Sequence, residues 1–325
     1  MKHACSRLLL ALLFMCALPP APVFAQAWPV KPIRLIIPYP PGGQTDIVGR
    51  WLGTMLSPVL GQPVVMENRA GANGIVGMTA AKNADPDGYT FVYSNVSISL
   101  INRFAHSKLP YDALTDFEPV SILGYTTLGL AVPSASGFKT LADLVRFVKA
   151  NPGKTTFASF GIGSSAHMYG EILNGAAGLD MAHVPYKGTA AATIDVVAAR
   201  VTAGYIDFAS LGPMIQAGKL TVLAVTGTRR WPQFPDIPTF GETGFPLDLP
   251  GWAGIMAPKG TPRPVIDRMS QEIVRILRTA EGQKFMLERG GIIAAGSSPS
   301  EFADILVRDA PRWGEAFVRS GVKPE

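Results

Sequence analysis

The chain has 325 residues, of which 47% are hydrophobic and 16% charged, with a formal net charge of +5. That length exceeds what one hydrophobic core usually accommodates, so two lobes are expected. The charge is modest and Arg229-Arg230 is the only adjacent basic pair, which excludes the electrostatic footprint of a nucleic-acid binder.

In chain order, Lys2 and Arg7 precede an uninterrupted apolar run from Leu8 to Leu18, and Val23-Phe24-Ala25-Gln26-Ala27 supplies small residues at cleavage spacing. Residues 1–27 therefore read as a secretory signal peptide, cut after Ala25 or Ala27, with a run too short to anchor in a bilayer. The periplasm is the expected compartment. Removing Lys2 and Arg7 and no acid lowers the formal charge from +5 to +3, and Cys5 and Cys16 leave with the same segment. Disulfide, thiolate and cysteine-metal chemistry are thus excluded for the exported chain. The mature histidines His106, His167 and His183 lack ligand spacing, so neither a metal nor a cofactor is implied.

Ile33 to Ile37 reads as a strand, and Ile47, Val48, Trp51, Leu52, Met55, Leu56 and Val59 recur at helical spacing before Gly61-Gln62-Pro63 stops the pattern. Strands follow at 64–66 and 89–93, and an apolar segment spans Val120 to Val132. Thr140-Leu141-Ala142-Asp143 is a capping box opening a helix that ends near Asn151-Pro152-Gly153. Strands at 155–159, 182–186, 201–208 and 220–226 alternate with helices at 164–177 and 189–200. The prolines at 232, 235, 238, 246 and 250 leave no regular element in 231–250, the next strand is 252–258, and helices at 262–279, 281–289 and 299–319 close the chain. This alternation predicts an α/β protein with largely parallel sheets. The expected lobes are 28–131 with 252–325, and 132–251, hinged near 127–133 and 252–257.

Three strand-to-helix junctions share one design. At Tyr39-Pro40-Pro41-Gly42-Gly43-Gln44-Thr45-Asp46, at Ser159-Phe160-Gly161-Ile162-Gly163-Ser164-Ser165 and at Tyr186-Lys187-Gly188-Thr189, glycines and hydroxyls stand where a helix begins. Such junctions lie at the carboxyl ends of strands, where backbone N–H groups and helix dipoles favour an anion. Asn68 to Gly74 is a weaker case of the same design. Tyr39 and Tyr186 each precede a glycine loop, either to touch a ligand or to brace the loop. A glycine fingerprint at Gly161-Ile162-Gly163-Ser164-Ser165-Ala166 with Asp180 downstream also matches a dinucleotide site, and Ser164 with His167 is the nearest candidate for an exported hydrolase.

Pro38-Tyr39-Pro40-Pro41-Gly42-Gly43 with Asp46, Glu67 to Gly74, Asp87-Gly88-Tyr89-Thr90, Asp116-Phe117, Ser159 with Gly161 to Ser164, His183 to Gly188, Leu223-Ala224-Val225-Thr226, Pro235 to Thr239 and Ala257 to Pro262 closely resemble the Bug-type extracytoplasmic receptors of tripartite tricarboxylate transporters. The resemblance covers essentially the whole mature chain. It implies a two-lobed periplasmic binding protein of the type II, Venus-flytrap kind, a monomer and not an enzyme, which closes on a small carboxylate and delivers it to a membrane permease. Carried over by motif, Tyr39, Gly43, Thr45, Asp46, Ser94 and Asn95 would line one wall of the cleft. Ser159, Ser164, Ser165, Gly188, Thr189 and Asp207 would line the other. The family varies near Gln44, Asn95 and Tyr205, where the identity of the ligand would be set.

Overall fold

The computed structural model describes residues 28–324, so the signal peptide expected at 1–27 lies outside the described residues. The strands are β1 (Ile33–Ile37), β2 (Val64–Asn68), β3 (Thr90–Asn95), β4 (Phe117–Thr126), β5 (Leu128–Pro133), β6 (Thr156–Ser159), β7 (Ala182–Pro185), β8 (Ala203–Asp207), β9 (Leu220–Val225), β10 (Gly251–Pro258) and β11 (Ile292–Ala294). The helices are α1 (Gln44–Leu60), α2 (Ile75–Lys82), α3 (Asn102–Ala105), α4 (Leu141–Ala150), α5 (Ser165–Ala177), α6 (Thr189–Val197), α7 (Phe208–Gln216), α8 (Arg263–Arg278), α9 (Ala280–Glu288) and α10 (Pro299–Ser320). A π-helical turn at Ser97–Ile101 precedes α3.

Two sheets divide the chain into two lobes, one ordered β11-β4-β10-β3-β1-β2 and the other β7-β6-β8-β5-β9. Each is parallel only where β-α units wind it: β1 pairs with β2 and β3, and β6 with β7 and β8. The strands next to the crossovers, β4, β10, β5 and β9, enter from the opposite edge and pair antiparallel, so the sheets are mixed and not largely parallel. The single apolar segment expected over 120–132 is two strands in two sheets, separated by Thr127 alone. Leu128–Pro133 therefore sits with the second sheet, which places the sheet change ahead of residue 131.

Local chemistry sets these boundaries. In α1 the buried positions Val48, Leu52, Leu56 and Leu60 recur every fourth residue, and Gly61, at φ 69°, ends the helix in a left-handed cap. The Thr140 hydroxyl accepts from the Asp143 N–H while the Asp143 carboxylate takes the Thr140 N–H, forming the expected capping box. The C-terminal helices divide their packing. Ile266, Met269 and Ile273 of α8 join Leu52 and Phe91 in a core of the first lobe. Helix α10 reaches both lobes: Phe302 meets Trp252 of β10 edge-on at 5.2 Å, and Trp313 lies 5.9 Å from Tyr169 of α5.

The proline-rich stretch after β9 is irregular, as its prolines require, but it is anchored. Val225 donates to the Pro238 carbonyl, Phe240 donates to the Val225 carbonyl, and the fully buried Trp231 stacks on Phe208 at 4.6 Å. Trp231→Ala leaves a cavity beside α7 and is expected to lower the unfolding free energy by about 3–5 kcal/mol, read from urea denaturation followed by far-ultraviolet circular dichroism.

Candidate functional site

The carboxyl ends of β1, β3, β6, β7 and β8 face one another across the lobes and enclose a cleft of about 720 Å³, open solvent at its mouth included. The β1-α1 turn contributes Tyr39, Pro40, Pro41, Gly43, Gln44 and Thr45, and the turn before α6 contributes Lys187, Gly188, Thr189 and Ala190. Helix α1 has Gly43 as its N-cap and α6 has Gly188, and neither receives a side-chain cap. The first N–H groups of both helices, Gln44 and Thr45 in α1 and Thr189 and Ala190 in α6, therefore take no side-chain cap, while the Asp46 N–H donates to the Gly43 carbonyl at 3.1 Å. Side chains at these caps would touch the opposite lobe. A Cβ on Gly43 would lie 3.3 Å from Thr189 Oγ1 of the other lobe, and Gly188, at φ +102°, would bring one within 3.4 Å of Pro40.

The two remaining helix starts facing the cleft are already satisfied. Ser164 caps α5 by accepting from the His167 N–H at 3.3 Å, and the α5 N–H of Ser165 donates across the lobes to Ser97 Oγ at 3.1 Å. Asp207 caps α7 by accepting from the Ser210 N–H at 2.9 Å. Its carboxyl is buried, which raises its pKa, while the Thr189 hydroxyl bonds to it and favours its charge. Between the lobes Tyr39 meets Phe160 edge-on at 6.5 Å, and the Tyr39 hydroxyl donates to Asn73 Oδ1 at 3.3 Å and accepts from Asn95 Nδ2 at 3.4 Å.

Of the residues expected in the walls, Tyr39, Gly43, Thr45, Asn95, Ser165, Gly188, Thr189 and Asp207 come together around this cleft. The other four stand behind it, because each is consumed in bracing a turn. Asp46 accepts from the Gly42 N–H at 3.1 Å, Arg50 Nε at 3.0 Å and Asn68 Nδ2 at 3.0 Å. Burial opposes its charge, but those three bonds hold its pKa below the ordinary value. Ser94 is buried against Ser99 Oγ. Ser159 lies 2.6 Å from His183 Nε2 and donates to the Gly161 carbonyl at 3.0 Å, and Ser164 Oγ donates to that same carbonyl at 2.6 Å. Of the positions expected to set ligand identity, Gln44 and Asn95 line the cleft, whereas Tyr205 is fully buried and donates to the Tyr169 carbonyl. Tyr186 braces α6 by donating to Asp195 at 2.8 Å.

The enzyme alternatives lose their geometry. Ser164 bonds to the backbone of His167, whose Nδ1 is taken by the Gly163 N–H at 3.2 Å, so the ring is not its base. Asp180 accepts from the Gly153 N–H at 2.6 Å, at the end of β6 opposite the glycine fingerprint, where it cannot reach a ribose held by that turn. Among the described residues no group of three or more His, Cys, Asp or Glu side chains is placed to hold a metal ion.

The floor of the cleft was not marked in the sequence. Val96, Leu128, Phe160, Tyr169 and Trp252 line it, with Thr126 and Thr226 at the crossovers. Tyr169 follows Ser165 by one helical turn, so its place on the same face is the one signal that was available. Trp252 reads as an ordinary core residue. It is 1% exposed, yet its indole Nε1 has no hydrogen-bond partner among the described residues.

The turn before α5 rests on a stacked imidazole pair. His167 and His183 lie 3.7 Å apart at 10°, and burial lowers His167 to about 4, while burial and then His167 lower His183 to about 3. Glu171 Oε1 stands 3.8 Å from His167 Nε2, with its own pKa raised by burial. Below the free imidazole value of about 6.5 the unfolded chain gains protons that the folded chain refuses, so stability present at neutral pH is lost as pH falls from there toward about 4 and 3. His167→Phe keeps a ring in the stack and cannot protonate. Its urea midpoint is expected to fall less than the wild type's between pH 6.5 and pH 4; equal slopes would remove the pair from the account.

Comparison with known proteins places this architecture. Residues 48–316 match the model of TctC, the tripartite tricarboxylate transporter family receptor. The chain is similar to the protein BugT of Bordetella pertussis (strain Tohama I), with 33% identity over 93% of each chain. Among solved structures it resembles one described as a periplasmic transporter, at 36% identity, TM-score 0.87, and 91% and 99% of the two chains covered. It also resembles R. palustris Rpa4515 with adipate, at 28% identity, TM-score 0.88, and 92% and 100% covered.

Proposed function

The chain belongs to the tripartite tricarboxylate transporter receptor family, and on that premise we propose that it captures a small carboxylate between its lobes in the periplasm and hands it to the permease of such a transporter. The observation that carries this reading is the pair of uncapped helix starts, α1 and α6, presented from opposite lobes to one cleft. The adipate held by the R. palustris relative supports a carboxylate as the solute.

Magnitudes agree with capture by backbone groups. Micromolar binding needs about 8 kcal/mol. One helix start supplies roughly 0.3–1 kcal/mol toward an anion, up to about 2 when partly buried. Charge-assisted hydrogen bonds at about 1.5–3 kcal/mol each, from first-turn N–H groups and the hydroxyl of Thr45, complete the sum without an arginine. The cleft has none: Lys187 is the only cation among its lining residues, and it is exposed. The mature protein acts as a monomer in this scheme, with eight contacts proposed for the ligand: Tyr39, Gly43, Thr45, Asn95, Ser165, Gly188, Thr189 and Asp207. The polar residues behind the wall keep the turns in place.

A panel of aliphatic and aromatic carboxylates is expected to contain members that raise the melting temperature of the purified protein. Gly43→Val, whose side chain would meet Thr189 across the closed cleft, should abolish that shift and keep the circular dichroism spectrum unchanged. If no carboxylate in the panel moves the wild-type melting temperature, the proposal fails.

A further inference from the structure

The charges of the cleft restrict the solute more narrowly than the family does. Lys187 is the only cation among the lining side chains and is exposed, and Asp207 is the only acid, its carboxyl buried and its pKa raised by that burial. The bare starts of α1 and α6 add roughly half a positive charge each, about enough for one carboxylate. A second or third carboxylate would find only that exposed lysine in exchange for its water.

The rest of the enclosure is apolar and aromatic. Phe160 and Tyr169 come from the second lobe and Trp252 from the first, with Val96 and Leu128 between them. The Tyr169 hydroxyl is already committed to the Leu249 carbonyl at 2.6 Å, so it is not available to a polyhydroxylated solute. The Trp252 indole Nε1 is buried, with no partner among the described residues, so it offers the ligand no reachable donor.

Resting on the reading of this cleft as a carboxylate receptor, we infer that its solute is an aromatic monocarboxylate. Its carboxylate sits at the starts of α1 and α6, and its ring packs among Val96, Leu128, Phe160 and Tyr169. The clamp from both lobes suits a flat ring, which buries much apolar area at little cost in internal freedom.

Isothermal titration of the protein purified after expression of the full chain tests this with 4-hydroxybenzoate, benzoate, adipate, malate and citrate. 4-Hydroxybenzoate and benzoate are expected to bind about tenfold or more tightly than any of the three aliphatic polycarboxylates. Tighter binding of adipate, malate or citrate than of either aromatic acid overturns the inference and leaves carboxylate capture standing. Binding of none of the five overturns the inference, and the melting-temperature panel then decides carboxylate capture.

Discussion

The structure depends on two helix starts being left unfinished. A serine or aspartate at an N-cap satisfies its own helix, and Ser164 and Asp207 do so at the heads of α5 and α7. Gly43 and Gly188 cannot, so the starts of α1 and α6 carry no side-chain cap, and a Cβ at either would come within 3.4 Å of the opposite lobe. Parallel β-α winding delivers both starts to the carboxyl edge of a sheet, and the two sheets face each other across the crossovers. Gly188 carries a further requirement, since φ +102° is a backbone conformation that other residues adopt only with strain.

Leaving these ends free is possible because their neighbours are tied down. The turn before α1 is fixed by Asp46 through Gly42, Arg50 and Asn68, and the turn before α5 by Ser159 on His183, itself stacked on His167. Polar residues near the cleft thus hold the backbone that the ligand would meet. Helix α10 does the same for the floor, backing Trp252 with Phe302 and Tyr169 with Trp313. The crossovers between the sheets run beside Thr127 and Pro250, and α10 packs on both lobes across them.

Much of this was legible in residue order. The strand-glycine-hydroxyl-helix junctions marked which loops meet, because local turn chemistry and the sheet rule act together. Residue order did not reveal which hydroxyls point inward: Ser159 and Ser164 resemble Ser165 in sequence, and only the hydrogen bonds to Gly161 and His183 separate them. The π-helical turn at Ser97–Ile101 was hidden, since Ser-Ile-Ser-Leu-Ile alternates like a strand. Val120 to Val132 concealed a change of sheet because residues 120–124 and the whole of β5 are buried and no proline separates the two strands. The aromatic floor is a tertiary product: Trp252 and Tyr169 are ordinary core residues until the lobes bring them together.

The proposed site is divided between the lobes, which would join closure and recognition in one event. With the lobes apart a carboxylate would meet one helix start, worth at most about 2 kcal/mol, far short of the roughly 8 kcal/mol that micromolar capture requires. The second start, the cross-lobe bond from the Ser165 N–H to Ser97 and the edge contact of Tyr39 with Phe160 all need the lobes together. On this proposal a solute would favour the closed form by the difference between half a site and a whole one, since a population shift needs differential affinity. A solute too bulky to let Thr189 approach Gly43, or too highly charged for the two helix starts, would forfeit the second half, so contact between the lobes would select the ligand along with the wall residues.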